Sequence, residues 1–330
     1  MWDKPNVLYN IASLFQERCP YPPPIESSRT MTPISAPSSE RVADARRRRL
    51  TRISAALACP RCGGALDRSE SALRCEGCAA DYPVRDGRIY FVDVPARTDD
   101  FDRIKGWMKR VFGRAYYTVG ITLLAPTFPI NFARVVTRLV DPAAQLIVDA
   151  GSGNNTLHPD IVAIDLFDYD AVDIVCRLEA LPFRSDTIDA IVSRSVLEHV
   201  ADPARVVGEF HRCTKRGGLG IHMIPFLFPV HASPADYHRF TPEGHAVLFR
   251  EWTAVSRTNP TGPVTVILLY MIEVVATILG FGVARLRSLV YLVLCGISFP
   301  IKFLDVVFVN RKAFMSLAAS ILSVVRKAPE

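Results

Sequence analysis

From about Phe101 to the C-terminus, short apolar runs alternate with stretches of helical spacing, the rhythm of a parallel sheet covered by helices. "QLIVDAGSGNN" (Gln145 to Asn155) is an apolar strand that ends in Asp149 and a glycine turn. "IVAIDL" gives a second strand with Asp165 at its end, and "TIDAIVS" gives another, followed by "VLEHV" leading towards a helix. "EFHRCTKRGGLGIHMIPF" predicts a helix, a Gly-Gly turn and a further strand. "AASILSVVRK" (Ala318 to Lys327) predicts a last, antiparallel strand paired with "REWTAVSR" (Arg250 to Arg257).

Three stretches break that rhythm. Residues 1–55 are predicted to be disordered, because "CPYPPPIESSRTMTPISAPSSE" is rich in Pro and Ser and has few large apolar groups to offset the entropy of ordering. Residues 56–95 form a compact cysteine module. The third is an apolar insertion, 263–301, inside a 96–330 domain. Its first arm, "PVTVILLYMIEVVATILGFGVA", has 22 residues and one charge, Glu273, and is long enough to span a bilayer. Its second, "SLVYLVLCGISFPI", has 14 residues and is not. If the last strand pairs as predicted, both ends of the insertion lie on one side of a membrane. A helical hairpin lying in the interface, with Arg285, Arg287 and Lys302 at head-group level, meets that constraint. A buried lid or a dimer interface is the alternative.

Charge adds little. The 39 basic and 33 acidic residues leave +6, which suits an anionic membrane surface or nucleic acid and is diagnostic of neither. Part of the excess is the run "ARRRR" (Ala45 to Arg49), which reads as a solvated basic linker. The opening "MWDKPNVLYN" lacks the pattern of a secretory signal, and four of the eight cysteines are widely scattered. These features predict a cytoplasmic protein, peripherally or monotopically associated with the inner membrane.

The remaining cysteines are grouped. Cys59 and Cys62, like Cys75 and Cys78, are two residues apart, and twelve residues separate the pairs. Two such turns can close a tetrahedron around Zn2+ at about 2.3 Å per sulfur. Two disulfides fit the compartment less well, and a dithiol redox pair leaves the second pair unexplained. Four sulfurs fill the coordination shell, which makes the ion structural. "DYPVRDGRIYFV" then reads as two strands joined at Asp86-Gly87. This segment resembles the small zinc-ribbon family that activates RNA and protein methyltransferases in trans, here fused in cis.

Asp165 lies twelve residues past Gly153, and position 156 is Thr, not a third glycine, so a dinucleotide fingerprint fits poorly. A carboxylate ending the second strand suits the hydroxyls of a ribose. Taken in order, the segments from 140 to 250 resemble class I S-adenosylmethionine-dependent methyltransferases of the type 11 kind. The resemblance implies a doubly wound, mostly parallel, seven-stranded α/β sheet with the apolar insertion before its last strand. It implies that Asp149, Gly151 and Gly153 cradle the methionine part of S-adenosylmethionine, that Asp165 holds the ribose, and that Leu197, Glu198 and His199 line the reaction pocket, where Glu198 also contacts the cofactor. Where the family has an Asp that reads adenine this chain has Arg177, so recognition falls to the backbone or to Leu178 or Glu179.

"IPFLFPVHASPADYHRFTPEGHAVLF" (Ile224 to Phe249) follows the strand and should overhang the methyl donor. Methyl transfer requires alignment of the acceptor and removal of its proton. His231 is the first candidate base, with His199 and Asp236 behind it. Tyr237, His238 and Arg239 are candidates for substrate binding, although Arg239 could instead pair with Asp236. The loop's pattern resembles a subgroup associated with cell-surface glycan or lipid metabolism. The expected function is O-methylation of a lipid-linked, glycan or quinone-like small molecule at the membrane surface. The alternatives are an RNA methyltransferase whose ribbon binds nucleic acid, and a non-catalytic scaffold whose ribbon recruits a partner protein.

Overall fold

The computed structural model describes residues 39–95, 125–231 and 235–329. The first helix, α1 (Ser39–Ile53), lies within the stretch expected to be disordered; residues 1–38 fall outside the described residues. The reason is visible in its spacing. Arg46, Arg49, Leu50 and Ile53 are all buried, forming one stripe at i, i+3, i+4 and i+7. Two of the four positions are arginine, so hydrophobicity alone does not reveal the stripe. Arg47 and Arg48, on the opposite face, are exposed.

Four short strands follow: β1 (Leu66–Arg68), β2 (Ala72–Cys75), β3 (Asp81–Arg85) and β4 (Arg88–Tyr90). Asp86 and Gly87 turn the chain between β3 and β4 with φ of +50° and +70°, the left-handed geometry that a two-residue hairpin requires. The rest of the sheet comprises β5 (Ile147–Ala150), β6 (Val162–Asp165), β7 (Ile174–Val175), β8 (Ile188–Arg194), β9 (Thr214–Pro225), β10 (Thr253–Thr258) and β11 (Ser320–Arg326).

These strands make one continuous sheet of eleven, in the order β1-β2-β3-β4-β7-β6-β5-β8-β9-β11-β10. The seven-stranded expectation therefore stops short: the ribbon is not a separate lobe but extends the sheet. Its β4 pairs in parallel with β7, Ile89 beside Ile174 and Tyr90 beside Val175. Pairing is parallel from β4 to β9, then antiparallel where β11 enters between β9 and β10. Gly217-Gly218 lies inside β9, where the register against β8 shifts, and does not precede the strand.

Alternation along the strands separates two cores. Val148, Ala150, Ile164 and Ile191 face one side, where Val206, Val207 and Phe210 of α3 (Pro203–Cys213) cover them. Ile147, Ala190 and Val192 face the other, covered by Phe132 and Val136 of α2 (Phe132–Leu139). Local sequence sets the helix starts. Asn131, Asp202 and Thr241 each accept a hydrogen bond from an amide three residues on, and the latter two are followed by Pro at the first helical position. Thr241 caps α4 (Pro242–Leu248).

The insertion folds as α5 (Pro263–Leu279) and α6 (Ala284–Ser298), packed on each other, followed by a short helical stretch at Ile301–Val307. Asp305, fully buried, accepts hydrogen bonds from the amides of Gly262, Val264 and Thr265 and so caps α5 from forty residues downstream. Glu273 pairs with Arg287 across the two helices. Lys302 is not at head-group level; it is buried, and its Nζ donates to the Ala125 carbonyl at 2.6 Å. No single described helix is long and apolar enough to cross a membrane.

Candidate functional site

The carboxyl ends of β5, β6 and β8 meet at one edge of the sheet, where a doubly wound fold leaves its ligand crevice. After β5 the chain turns through Gly151 and Gly153, with φ of +70° and +58°. A Cβ at Gly151 would lie 2.5 Å from the Val196 side chain, so this position is closed to any other residue by both conformation and space. At Gly153 nothing stands within 4 Å of such a Cβ, and the turn is open there. Asp165, ending β6, accepts the Gly153 amide on Oδ2 at 2.9 Å and the Phe167 amide on Oδ1 at 3.0 Å. The second strand's carboxylate thus clamps the first strand's glycine turn. Burial pushes the Asp149 carboxyl up to about 7, countered in part by Arg194, a neighbour the sequence reading passed over. Leu178 packs into the core, while Arg177 is exposed beside Glu179 at 3.6 Å.

After β8 the chain passes Ser195, a non-glycine residue at φ +54°, and makes one helical turn at Leu197–His199. Such backbone strain at the end of a central strand is a local mark of a functional site, and no sequence signal at Ser195 announces it. The turn buries Glu198 completely, and its carboxylate oxygens make no hydrogen bond of full geometry, the Ser195 side chain being the nearby donor. Burial raises the Glu198 carboxyl to about 8.

Two imidazoles face it. His199 Nε2 lies 3.8 Å and His231 Nε2 3.7 Å from Glu198 Oε1, and the two rings meet edge to face at 5.0 Å. His199 directs its Nδ1 to the Ala235 carbonyl at 2.5 Å. His231 Nδ1 lies 3.3 Å from the Pro229 carbonyl and 3.4 Å from Asp236 Oδ2. Burial lowers the His231 imidazole below its ordinary value.

The loop from 224 to 249 is built around Asp236 and Arg239. Asp236 takes both ends of the Arg239 guanidinium, at 2.5 and 2.6 Å, and accepts the His231 amide at 2.8 Å. Those contacts hold the Asp236 carboxyl down at about 2. Arg239 also donates to the carbonyls of Phe228, Pro229 and His238. Tyr237 and His238 send their amides to the Glu198 carbonyl, at 2.7 and 3.3 Å, while the Tyr237 side chain is exposed. The structure thus gathers Glu198, His199, His231, Asp236 and Arg239 into one cluster. Val196 ties that cluster to the Gly151 turn.

The four ribbon cysteines converge separately. Their sulfurs all lie within 4.8 Å of one another, with Cys59–Cys78 at 3.6 Å and Cys62–Cys75 at 3.4 Å. A tetrahedral ion at about 2.3 Å from each sulfur needs edges of about 3.8 Å. Tyr82 Oη lies 3.0 Å from Cys59 Sγ, and the Gly77 amide donates to Cys75 Sγ at 3.3 Å. Such outer contacts orient metal-binding thiolates.

Comparison with known proteins separates the two halves along the same line. Residues 140–221 match the methyltransferase domain family, and residues 52–87 match the Trm112p-like protein family. The chain joins a methyltransferase domain to a Trm112p-like domain. Over 42 residues it is 48% identical to an uncharacterized methyltransferase of Mycolicibacterium vanbaalenii, a match covering 13% of this chain and only 16% of that relative's length. Among solved structures, a Haemonchus contortus phosphoethanolamine N-methyltransferase 2 in complex with S-adenosyl-L-methionine is 14% identical, with a TM-score of 0.41 over 68% of this chain and 60% of that one. A chain from the complex between the Haloferax volcanii Trm112 methyltransferase activator and its methyltransferase partner is 16% identical, with a TM-score of 0.38 over 71% of this chain and all of that one.

Proposed function

We propose that this protein transfers the methyl group of S-adenosylmethionine to a hydroxyl oxygen of a lipid-linked, glycan or quinone-like acceptor. The observation that carries this reading is the clamp of Asp165 on the Gly151–Gly153 turn, placed within the matched methyltransferase domain. When bound, the cofactor supplies an electrophilic methyl on a sulfonium. Asp149 and the Gly151–Gly153 backbone would hold its methionine part, and Asp165 its ribose, with Leu178 beside the adenine. The acceptor proton leaves through the Glu198–His199–His231 cluster, with His231 foremost because its lowered imidazole is neutral at pH 7. Asp236, locked on Arg239, positions His231 and is too weak a base to take the proton itself.

The ribbon's sulfurs suit a structural Zn2+, and its parallel pairing with β7 makes it a built-in support for the cofactor half of the sheet. Membrane association is supported by an uncovered apolar face. Ile267, Met271, Val274 and Ile278 on α5, and Leu289, Val293 and Ile297 on α6, are all exposed. Calorimetric titration with S-adenosylmethionine tests the central claim, with micromolar binding expected and weakened at least tenfold by Asp165→Ala. An absence of heat at millimolar cofactor would reject it.

A further inference from the structure

Three side chains at the reaction edge turn metal-ligating atoms towards one another. His199 has its Nδ1 committed to the Ala235 carbonyl at 2.5 Å, which leaves the Nε2 lone pair pointing inward. His231 turns its Nε2 the same way, with Nδ1 held among Pro229 O, Asp236 Oδ2 and the Arg239 guanidinium, the last at 3.4 Å. Between them stands Glu198, wholly buried, with no hydrogen bond of full geometry on either oxygen and the Ser195 side chain and the Arg239 charge as its stabilising neighbours. A buried Glu198 faced by two imidazoles needs either a proton or a metal ion between them to offset the cost of desolvation.

We propose that Glu198, His199 and His231 bind a divalent transition-metal ion. The three ligand atoms lie within 4.8 Å of one another. Bonds of about 2.1 Å at about 90 to 110° need separations of about 3.0 to 3.5 Å, so shifts of a few tenths of an ångström from the present 3.7 and 3.8 Å close the two edges from Glu198, while the two imidazole nitrogens lie within 4.8 Å of each other. Two imidazoles and one carboxylate leave coordination positions open, and they favour manganese, iron, cobalt or zinc over calcium. The outer contacts fit the same reading. Metal-bound histidines direct their second nitrogen to a carbonyl or carboxylate, as His199 does to Ala235 and His231 does to Pro229 and Asp236. Arg239 in turn fixes Asp236 with two hydrogen bonds. The cluster is separate from the cysteine site and differs from it in donor chemistry.

The consequence for substrate rests on the methyltransferase reading. An open position on such an ion takes the acceptor's hydroxyl, preferably one of two neighbouring oxygens, and raises its acidity. With the ion bound, His231 Nε2 is a ligand and no longer the base, so the O–H proton passes to solvent, the oxygen lone pair forms the C–O bond, and the methyl–sulfur bond breaks with its electron pair left on a neutral thioether. Acceptors with adjacent oxygens, such as catechol-like rings and sugar diols, are therefore the favoured class.

The test is a manganese titration of the full-length protein with its ribbon already loaded with one zinc, followed by electron paramagnetic resonance. One Mn2+ per chain is expected, with affinity lowered at least tenfold by Glu198→Gln and by His231→Gln. Thermal melting should be little changed in both variants, and S-adenosylmethionine binding little changed in His231→Gln, which separates loss of a ligand from loss of the fold. No binding of Mn2+, Co2+ or a second Zn2+ by the wild-type protein overturns the proposal, as does binding that survives both substitutions. Metal binding without any cofactor binding would support the site while sinking the methyl-transfer reading.

Discussion

Arg49 and Asp173 meet as a buried bidentate pair, with both nitrogen–oxygen distances at 2.7 Å, although 124 residues separate them. Asp173 precedes β7, and its Oδ2 also accepts the Ala163 amide at 3.0 Å, so one carboxylate ties α1 to two neighbouring strands. Arg46 adds a contact at 3.4 Å and donates to the carbonyls of Asp86 and Asp170. Removing one member of a buried pair strands the other charge. Arg49→Ala is expected to cost about 3 to 5 kcal/mol in urea unfolding, whereas replacing both residues with Met and Leu should cost less. Equal losses would show that the pair contributes only through packing.

The ribbon and the β7 edge of the parallel sheet share backbone hydrogen bonds. Ile89 N donates to Asp173 O, and Phe91 N to Val175 O, at 3.1 and 2.8 Å. Stripping metal with a strong chelator, or replacing Cys62 with Ser, should therefore lower the melting temperature of the whole protein in one transition. An early, separate transition with the main one unmoved would contradict the continuity of the sheet.

Gly151→Ala should abolish S-adenosylmethionine binding, because the new methyl would meet Val196 at 2.5 Å on a backbone at φ +70°. Gly151→Ala with Val196→Ala relieves the collision but not the backbone, and should recover stability only in part. Calorimetry and urea unfolding read the two effects independently.

Two buried imidazoles predict an acid limb of stability. His222 is stacked between Phe210 and Phe249 with Nδ1 on Ser193 Oγ, and His245 bonds Ser323 Oγ. Burial lowers both to about 3, from the ordinary 6.5. The unfolded chain binds more protons between those values, so stability present above pH 6.5 is lost as pH falls towards 3. Each group contributes about 1.4 kcal/mol per pH unit in that window. His222→Gln should flatten the slope measured by urea unfolding from pH 7 to 4.5; an unchanged slope would exclude this origin.

The exposed apolar face of α5 and α6 predicts sedimentation with anionic vesicles. Met271→Glu with Val293→Glu should abolish it while leaving cofactor affinity intact. Equal sedimentation of the variant would return the insertion to a lid or interface role.

Much of this was legible in the chain because it is local. The Cys-x-x-Cys pairs, the Asp86-Gly87 turn, the glycine turn after Asp149 and the acid ending β6 each lie within one element, where spacing alone dictates geometry. The arginine run was misread for the opposite reason. Its buried face is half charged, and a charged face looks solvated until its partner is known. Lys302 was misplaced in the same way, since its partner is a carbonyl 177 residues away.

By itself the sequence determined the type of each part: a metal-spaced ribbon, an α/β domain with a glycine turn after its first strand, and an apolar insertion ending before a final strand. Tertiary structure alone decided how the parts join. It fused the ribbon to the sheet through β4 and β7, buried two arginines on Asp173, and carried His231 back to Glu198. Strand order and register set those meetings, and both are chosen by the summed burial of the whole sheet, which no short window of residues contains.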